Sequence, residues 1–230
     1  MTGSLAMHMS DGLINAPASA LFGAVAVAGV AIAAAGARRD LDDRMAPMAG
    51  LVAAFVFATQ MLNFPVLPGV SGHLLGGALA AILVGPWAGA LCITIVLVLQ
   101  SLVFADGGLT ALGANVTNMA LIGTAAGYLV AVALRPLARR DRLGLVAVAF
   151  VAAFCNTVLA SLGFVLEFWL GGDPAFSLTA VIGTIVGVHC LIGIGEGIIT
   201  ALTVGAVAGV RPDLVYLLRG AERPLEVRAQ

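Results

Sequence analysis

The chain contains no lysine, and its 11 arginines and 12 acidic residues make up only 10% of 230 positions. A soluble domain carries about 25% charged residues, so no soluble domain fits. A net charge of −1 at pH 7 gives no reason to expect a nucleic-acid partner. No GxxxxGK[ST] phosphate loop is present, which excludes ATP hydrolysis by this chain itself. No cluster of His, Cys and carboxylate residues has zinc-site spacing. The three cysteines, Cys92, Cys155 and Cys190, all fall in apolar segments and read as small reduced fillers. Residues 1–6 are too short and too uncharged for a secretory signal, which needs an apolar stretch of about 7–15 residues.

What remains is apolar. Hydrophobic residues make up 61% of the chain and mean hydropathy is +1.09. Runs near the ~20 residues needed to cross a ~30 Å bilayer core recur along it. Within hydrocarbon only helices or a closed barrel satisfy the backbone, and these runs do not alternate as barrel strands do. The expected fold is an all-α polytopic membrane protein with seven segments. They are 16–37, 46–63, 73–84, 86–104, 113–134, 143–169 and 178–210.

The arginines fix the expected topology. Three lie in 38–44, four in 135–142 and four after residue 210. If arginine-rich loops stay in the cytoplasm, an even number of crossings separates each basic region from the next. Residues 73–104 then form a hairpin turning at Gly85–Pro86 rather than one long helix, with 73–84 short. The N-terminus lies outside and the C-terminus is cytoplasmic. The last segment is too long for a straight perpendicular span, and Gly193, Gly195 and Gly197 suggest a kink or tilt. Small residues spaced by four recur at Ala46, Gly50, Ala54 and Ala58, at Gly123 and Gly127, at Gly183 and Gly187, and at Gly205 and Gly209. Such stripes let helices approach closely in lipid. The run from Ala46 is expected to meet another membrane subunit.

Three histidines carry the candidate chemistry. By this topology His8, His73 and His189 all lie toward the outer half of the bundle. Ionisable groups at membrane depth are costly and mark a site, which favours function for His8 and His73. His189 reads as a packed, hydrogen-bonded residue. Two histidines alone make a poor metal site. A chain beginning Met-His supplies the rest: terminal amine, second-residue amide nitrogen and imidazole chelate one ion in a plane, and a second histidine completes four nitrogens. Such sets suit Ni(II) or Cu(II), with Co(II) lower in the affinity order. This requires a chain starting at Met7.

The stretches "MHMSDGL", "MLNFPVLPGVSGHLLGG", "QSLVFADGGLTALGANVTNMA" and "HCLIGIGEG" resemble the CbiM/NikM family over nearly the full length. These are the substrate-binding membrane subunits of energy-coupling-factor cobalt and nickel transporters. The resemblance implies seven helices, an N-terminus inserted into the bundle, and metal held by Met7, His8 and His73. It further implies a transmembrane coupling subunit, two ATP-binding-cassette ATPases, a small accessory membrane subunit, and tilting in the membrane to deliver the ion. By the same resemblance the expected transported substrate is Co(II) or Ni(II), with no bound organic cofactor, in a bacterial cytoplasmic membrane. MTGSLA departs from the pattern, and residues 1–6 are expected to be a mis-assigned start or a trimmed extension. The expected organisation is then 7–15 as the metal-binding segment, 16–210 as the bundle and 211–230 as a cytoplasmic tail.

Other polar residues of these motifs are expected to support the site: Asp11, Asn63, Ser71, Gln100, Asn115, Asn118 and His189. Several can hydrogen-bond the free imidazole nitrogens, as supporting residues orient metal ligands. Asp106–Gly107–Gly108 reads as a turn. Glu196, a carboxylate among glycines, is either a hydrogen-bonded structural acid or a proton or coupling element. Two other functions compete. "GVSG" at 69–72 matches the GxSG of rhomboid proteases, with Ser71 as nucleophile and His189 as base. A vitamin-binding sibling subunit would need a larger polar pocket and no Met-His start.

Overall fold

The computed structural model describes residues 8–40, 45–61, 64–67 and 70–219. The chain folds as a helical bundle: α1 (Ala16–Asp40), α2 (Met45–Gln60), α3 (Gly77–Val84), α4 (Pro86–Val103), α5 (Leu112–Asn115), α6 (Thr124–Ala133), α7 (Arg135–Ala138), α8 (Arg142–Gly171) and α9 (Leu178–Val210). The two-stranded hairpin β1 (Phe64–Leu67) and β2 (Val70–Gly72) interrupts them, pairing Phe64 with Gly72 and Pro65 with Ser71. A π-helical stretch, Val116–Gly123, joins α5 to α6 in one rod, Leu112–Ala133. Among the described residues five helices are long and apolar enough to cross a membrane: α1, α4, that rod, α8 and α9. Helix α2 is apolar but only 16 residues long, and α3 has eight.

Local chemistry sets the helix ends. Asn15 opens α1 by accepting from the Ala18 N–H at 2.9 Å, ahead of Pro17 in the first turn. Asp141 caps α8 by accepting from the Gly144 N–H at 2.7 Å. Between α3 and α4 the turn falls at Gly85, whose φ of 89° few side chains tolerate, and Pro86 starts the next helix. The expected break at Gly85–Pro86 is therefore present.

All eight residues of α3 are buried, which makes it the axis of the bundle. Small residues allow this. A Cβ on Gly127 of α6 would stand 2.6 Å from the Ala78 Cβ, so α3 and α6 touch almost backbone to backbone. Gly193, Gly197 and Gly205 of α9 make room for α8 side chains in the same way, whereas a Cβ on Gly183, Gly187 or Gly195 would meet no neighbour within 4 Å among the described residues. The helix runs unbroken from Leu178 to Val210, and a Cβ on Gly197 would lie 2.7 Å from the Phe150 ring of α8. Outer faces carry exposed Leu, Ile, Val and Phe, as lipid contact requires. All three cysteines are free.

The basic regions meet at one end. The Tyr216 hydroxyl donates to Asp40 at 3.1 Å, Arg135 donates to the carbonyls of Leu217 and Arg219, and Arg139 donates to Arg219 O at 2.7 Å. Arg44, Arg223 and Arg228 lie outside the described residues. The core reaches past residue 210: Val215 and Leu217 are fully buried, and Gly85 packs against the Tyr216 ring. Residues 211–219 therefore belong to the bundle rather than to a free tail, because their apolar side chains close the bottom of α3. At the opposite end, Asn15 N–H donates to Gly171 O at 2.7 Å and Asp173 N–H donates to Leu13 O at 3.0 Å. These bonds tie the N-terminal segment to the α8–α9 connection.

Candidate metal centre

The N-terminal segment is inserted into that second end. Met9 is completely buried. Its N–H donates to Asn115 Oδ1 at 2.8 Å, and its carbonyl accepts from Asn115 Nδ2 at 3.0 Å and from the Gly108 N–H at 3.0 Å. One buried side chain at the foot of the π-helical stretch thus pairs with a peptide unit as a neighbouring strand would. Asp11 adds an outer tether. It accepts from the Thr110 N–H at 2.8 Å and the Thr110 hydroxyl at 2.6 Å, and these bonds hold its carboxyl below the ordinary value.

This docking brings His8 beside His73, their ring centroids 4.6 Å apart. Both side chains are buried, at 4% and 3% exposure. His73 Nδ1 lies 2.9 Å from the Leu74 carbonyl oxygen. A carbonyl only accepts, so Nδ1 carries the proton and Nε2 is left with a free lone pair. His8 Nδ1 lies 3.0 Å from Asp106 Oδ1, a carboxylate–imidazole pairing that orients metal-ligating histidines. That hydrogen bond is the main reason the Asp106 carboxyl sits below its ordinary value. Both Nε2 atoms are buried without a partner among the described residues. Buried polar atoms are seldom left unpaired, and the free His73 Nε2 beside the His8 ring is a donor open to a cation.

The loop holding Asp106 is built for this contact. The Asp106 N–H donates to Gln100 O at 3.1 Å, and Gly107 turns with a φ of 82°. A Cβ on Gly107 would lie 3.2 Å from the His8 Cβ. The expected turn is present, and its carboxylate reaches the site across 98 residues of sequence. Reading the sequence missed this role, because Asp-Gly-Gly already explains itself as a turn.

The remaining residues divide. Asn115 acts on the Met9 backbone, not on an imidazole. Gln100 is fully buried and contributes its carbonyl to the loop. Asn118 Nδ2 donates to Glu167 at 2.5 Å, away from both rings. His189 Nδ1 bonds the Ile185 carbonyl of its own helix at 2.6 Å; with Asn115 and Asn118 its side chain lines a small cavity under the site. Among the described residues, the imidazole partners are thus Asp106 and Leu74 O, in place of the expected amides. Met7 and Asn63 lie outside the described residues; Ser71 falls in β2, its side chain likewise outside. No observation supports a Ser71–His189 protease pair.

The four-nitrogen chelate expected from the sequence closes on His8 through Nδ1, because only that atom forms a six-membered ring with the His8 backbone nitrogen. In this structure Asp106 holds Nδ1.

Residues 8–214 match the CbiM family, described as the cobalt uptake substrate-specific transmembrane region. A putative fused nickel transport protein NikMN of Archaeoglobus fulgidus is 40% identical over 211 residues, covering 91% of this chain and 68% of that protein. The cobalt transport protein CbiM of Sorangium cellulosum is 33% identical over 220 residues, covering 93% and 96%. The crystal structure of a transition metal transporter superposes with a TM-score of 0.77 at 29% identity, covering 93% of this chain and 100% of that one.

Proposed function

The chain belongs to the CbiM family of transition-metal transport proteins, and from that premise we propose that it captures Co(II) for import, as the substrate-binding membrane subunit of an energy-coupling-factor transporter. The imported cobalt would serve cobalamin biosynthesis. Ni(II) import is the second reading, supported by the fused nickel transport relative at 40% identity. The observation that carries the proposal is the pair of adjacent buried imidazoles, ring centroids 4.6 Å apart, with His73 Nε2 left without a partner among the described residues. Equilibrium dialysis of purified protein against Ni(II) and Co(II), with elemental analysis, should find one ion per chain. Protein that stays empty would overturn the proposal.

In the loaded state Met7, His8 and His73 hold the ion. The ion takes the place of Asp106 at His8 Nδ1, and the Nδ1 proton leaves to solvent. The negative charge of Asp106 then stays beside the cation. Metal ligands must be deprotonated, so loading releases protons and weakens as pH falls. Asp106→Asn keeps the hydrogen-bond acceptor but loses the charge and the basicity. Affinity should drop by about 10–100-fold, the range for losing a group that supports a metal site. Equal or tighter binding by the variant, in the same dialysis, would mean Asp106 only competes for the ring.

The proposed orientation places the basic end in the cytoplasm, with seven crossings counting α2 and α3, in a bacterial cytoplasmic membrane. His8 and His73 then receive the ion from outside. Energy comes from partners: a transmembrane coupling subunit, two ATPases and a small accessory membrane subunit, with tilting of this chain to expose the site. The burial pattern of α2 supports a sliding face there. Ala46, Gly50, Ala54 and Ala58 all point outward, whereas Val52, Val56 and Gln60 face the core. Ala54→Leu should lower co-purification of the coupling subunit severalfold while metal binding stays at the wild-type level. Unchanged co-purification would remove α2 as the contact face.

A further inference from the structure

His73 sits at the start of an irregular segment, His73–Gly76, that leads into α3. The backbone groups of such a segment must find partners outside regular structure. Here they find a single carboxylate. Glu196, in the middle of α9 and 1% exposed, lies about 120 residues further along the chain. Its Oε2 accepts from the Leu75 N–H at 2.9 Å and the Thr157 hydroxyl at 2.8 Å. Its Oε1 accepts from the Gly76 N–H at 2.9 Å and from Asn156 Nδ2 at 2.9 Å. From the other side Gln60 Nε2 donates to the Leu75 carbonyl at 2.7 Å. The Leu75 peptide is therefore gripped on both edges, by α9 and by α2. Gly76, with a φ of 80°, turns its N–H to the same anion as its neighbour.

We propose that Glu196 is the positioning residue of the metal site: by fixing the Leu75 and Gly76 amides it holds His73 against His8. The proposal rests on the reading that these two histidines bind the ion. The chemistry selects glutamate in particular. Three of the partners, the two backbone N–H groups and Asn156 Nδ2, can only donate; the Thr157 hydroxyl, also 3.1 Å from the Ala153 carbonyl, completes the set, and a carboxylate offers accepting oxygens to all of them. A glutamine would aim its own N–H2 at two of them.

The test compares wild-type, Glu196→Gln, Thr157→Val and His73→Ala proteins in detergent. Ni(II) and Co(II) affinities, the Ni(II) d–d absorption band and the metal-free melting temperature are read for each. Glu196→Gln should bind about 10–100-fold more weakly, with a displaced band. Thr157→Val, which removes one donor without creating a mismatch, should lose affinity severalfold. A Glu196→Gln protein that melts lower but keeps wild-type affinity and band would overturn the positioning role. If Glu196→Gln does not fold, Thr157→Val at wild-type affinity overturns it instead. His73→Ala separates the two levels: should it bind as wild type does, the metal-site reading itself fails.

Discussion

Protein that begins at Met7 should bind Ni(II) or Co(II) at least about a hundredfold more tightly than protein that begins at Met1, a loss at the upper end of what a missing supporting group costs. Starting at Met7 makes the nitrogen before His8 an amine, a ready ligand once deprotonated. Starting at Met1 makes it an amide, which must surrender a far more tightly held proton. Burial sharpens the contrast. His8 and Met9 are already inside the bundle, away from the water that would take up an amide proton. The absence of lysine supplies a second readout. The terminal amine is the only primary amine of the chain, so protection from an amine-acylating reagent by added metal reports its engagement directly. Equal affinities for the two proteins, or acylation unaffected by metal, would remove the amine from the ligand set.

The second large effect belongs to Asn115→Leu. The substitution keeps the bulk but leaves the Met9 N–H without its acceptor, in a position with no access to water. An unsatisfied buried donor costs about 1–3 kcal/mol, which is roughly 5–150-fold in the docking equilibrium of the segment. Since His8 reaches His73 only when that segment is docked, metal affinity should fall by the same factor. Amides of residues 9–15 should exchange with solvent faster by a comparable factor while those of α3 do not change. The Met9 carbonyl keeps the Gly108 bond, so the segment loosens rather than leaves. Unchanged exchange in 9–15 would show that Asn115 is not its anchor.

The bundle was readable because lipid forces a simple code. Apolar length marks the helices, and the observed α9 has the same limits, 178 and 210, as the expected segment. Arginine placement forced the turn at Gly85–Pro86, and α3 and α4 meet there. The π-helical stretch Val116–Gly123 and the closure of the bundle by Val215 and Leu217 gave no such signal. The closure arises from packing between distant elements rather than from a local pattern.

The site was less legible for the same reason. Motif resemblance paired His8 with His73, but residues that hold them looked ordinary in line. Asp106 passed as a turn residue, Asn115 was expected near the imidazoles rather than on the Met9 backbone, and Glu196 had two readings. Each acts across roughly a hundred residues or more, on a ring or a peptide that the sequence places elsewhere.

Helix α3, covered on every side, has no surface that meets acyl chains. Differences in bilayer thickness act on a membrane protein through its lipid-facing rim, where helices tilt or the bilayer deforms to match. The platform beneath His73 is insulated from that adjustment. A thin and a thick host membrane would therefore present the ion with the same cradle, even as the outer helices lean differently in each.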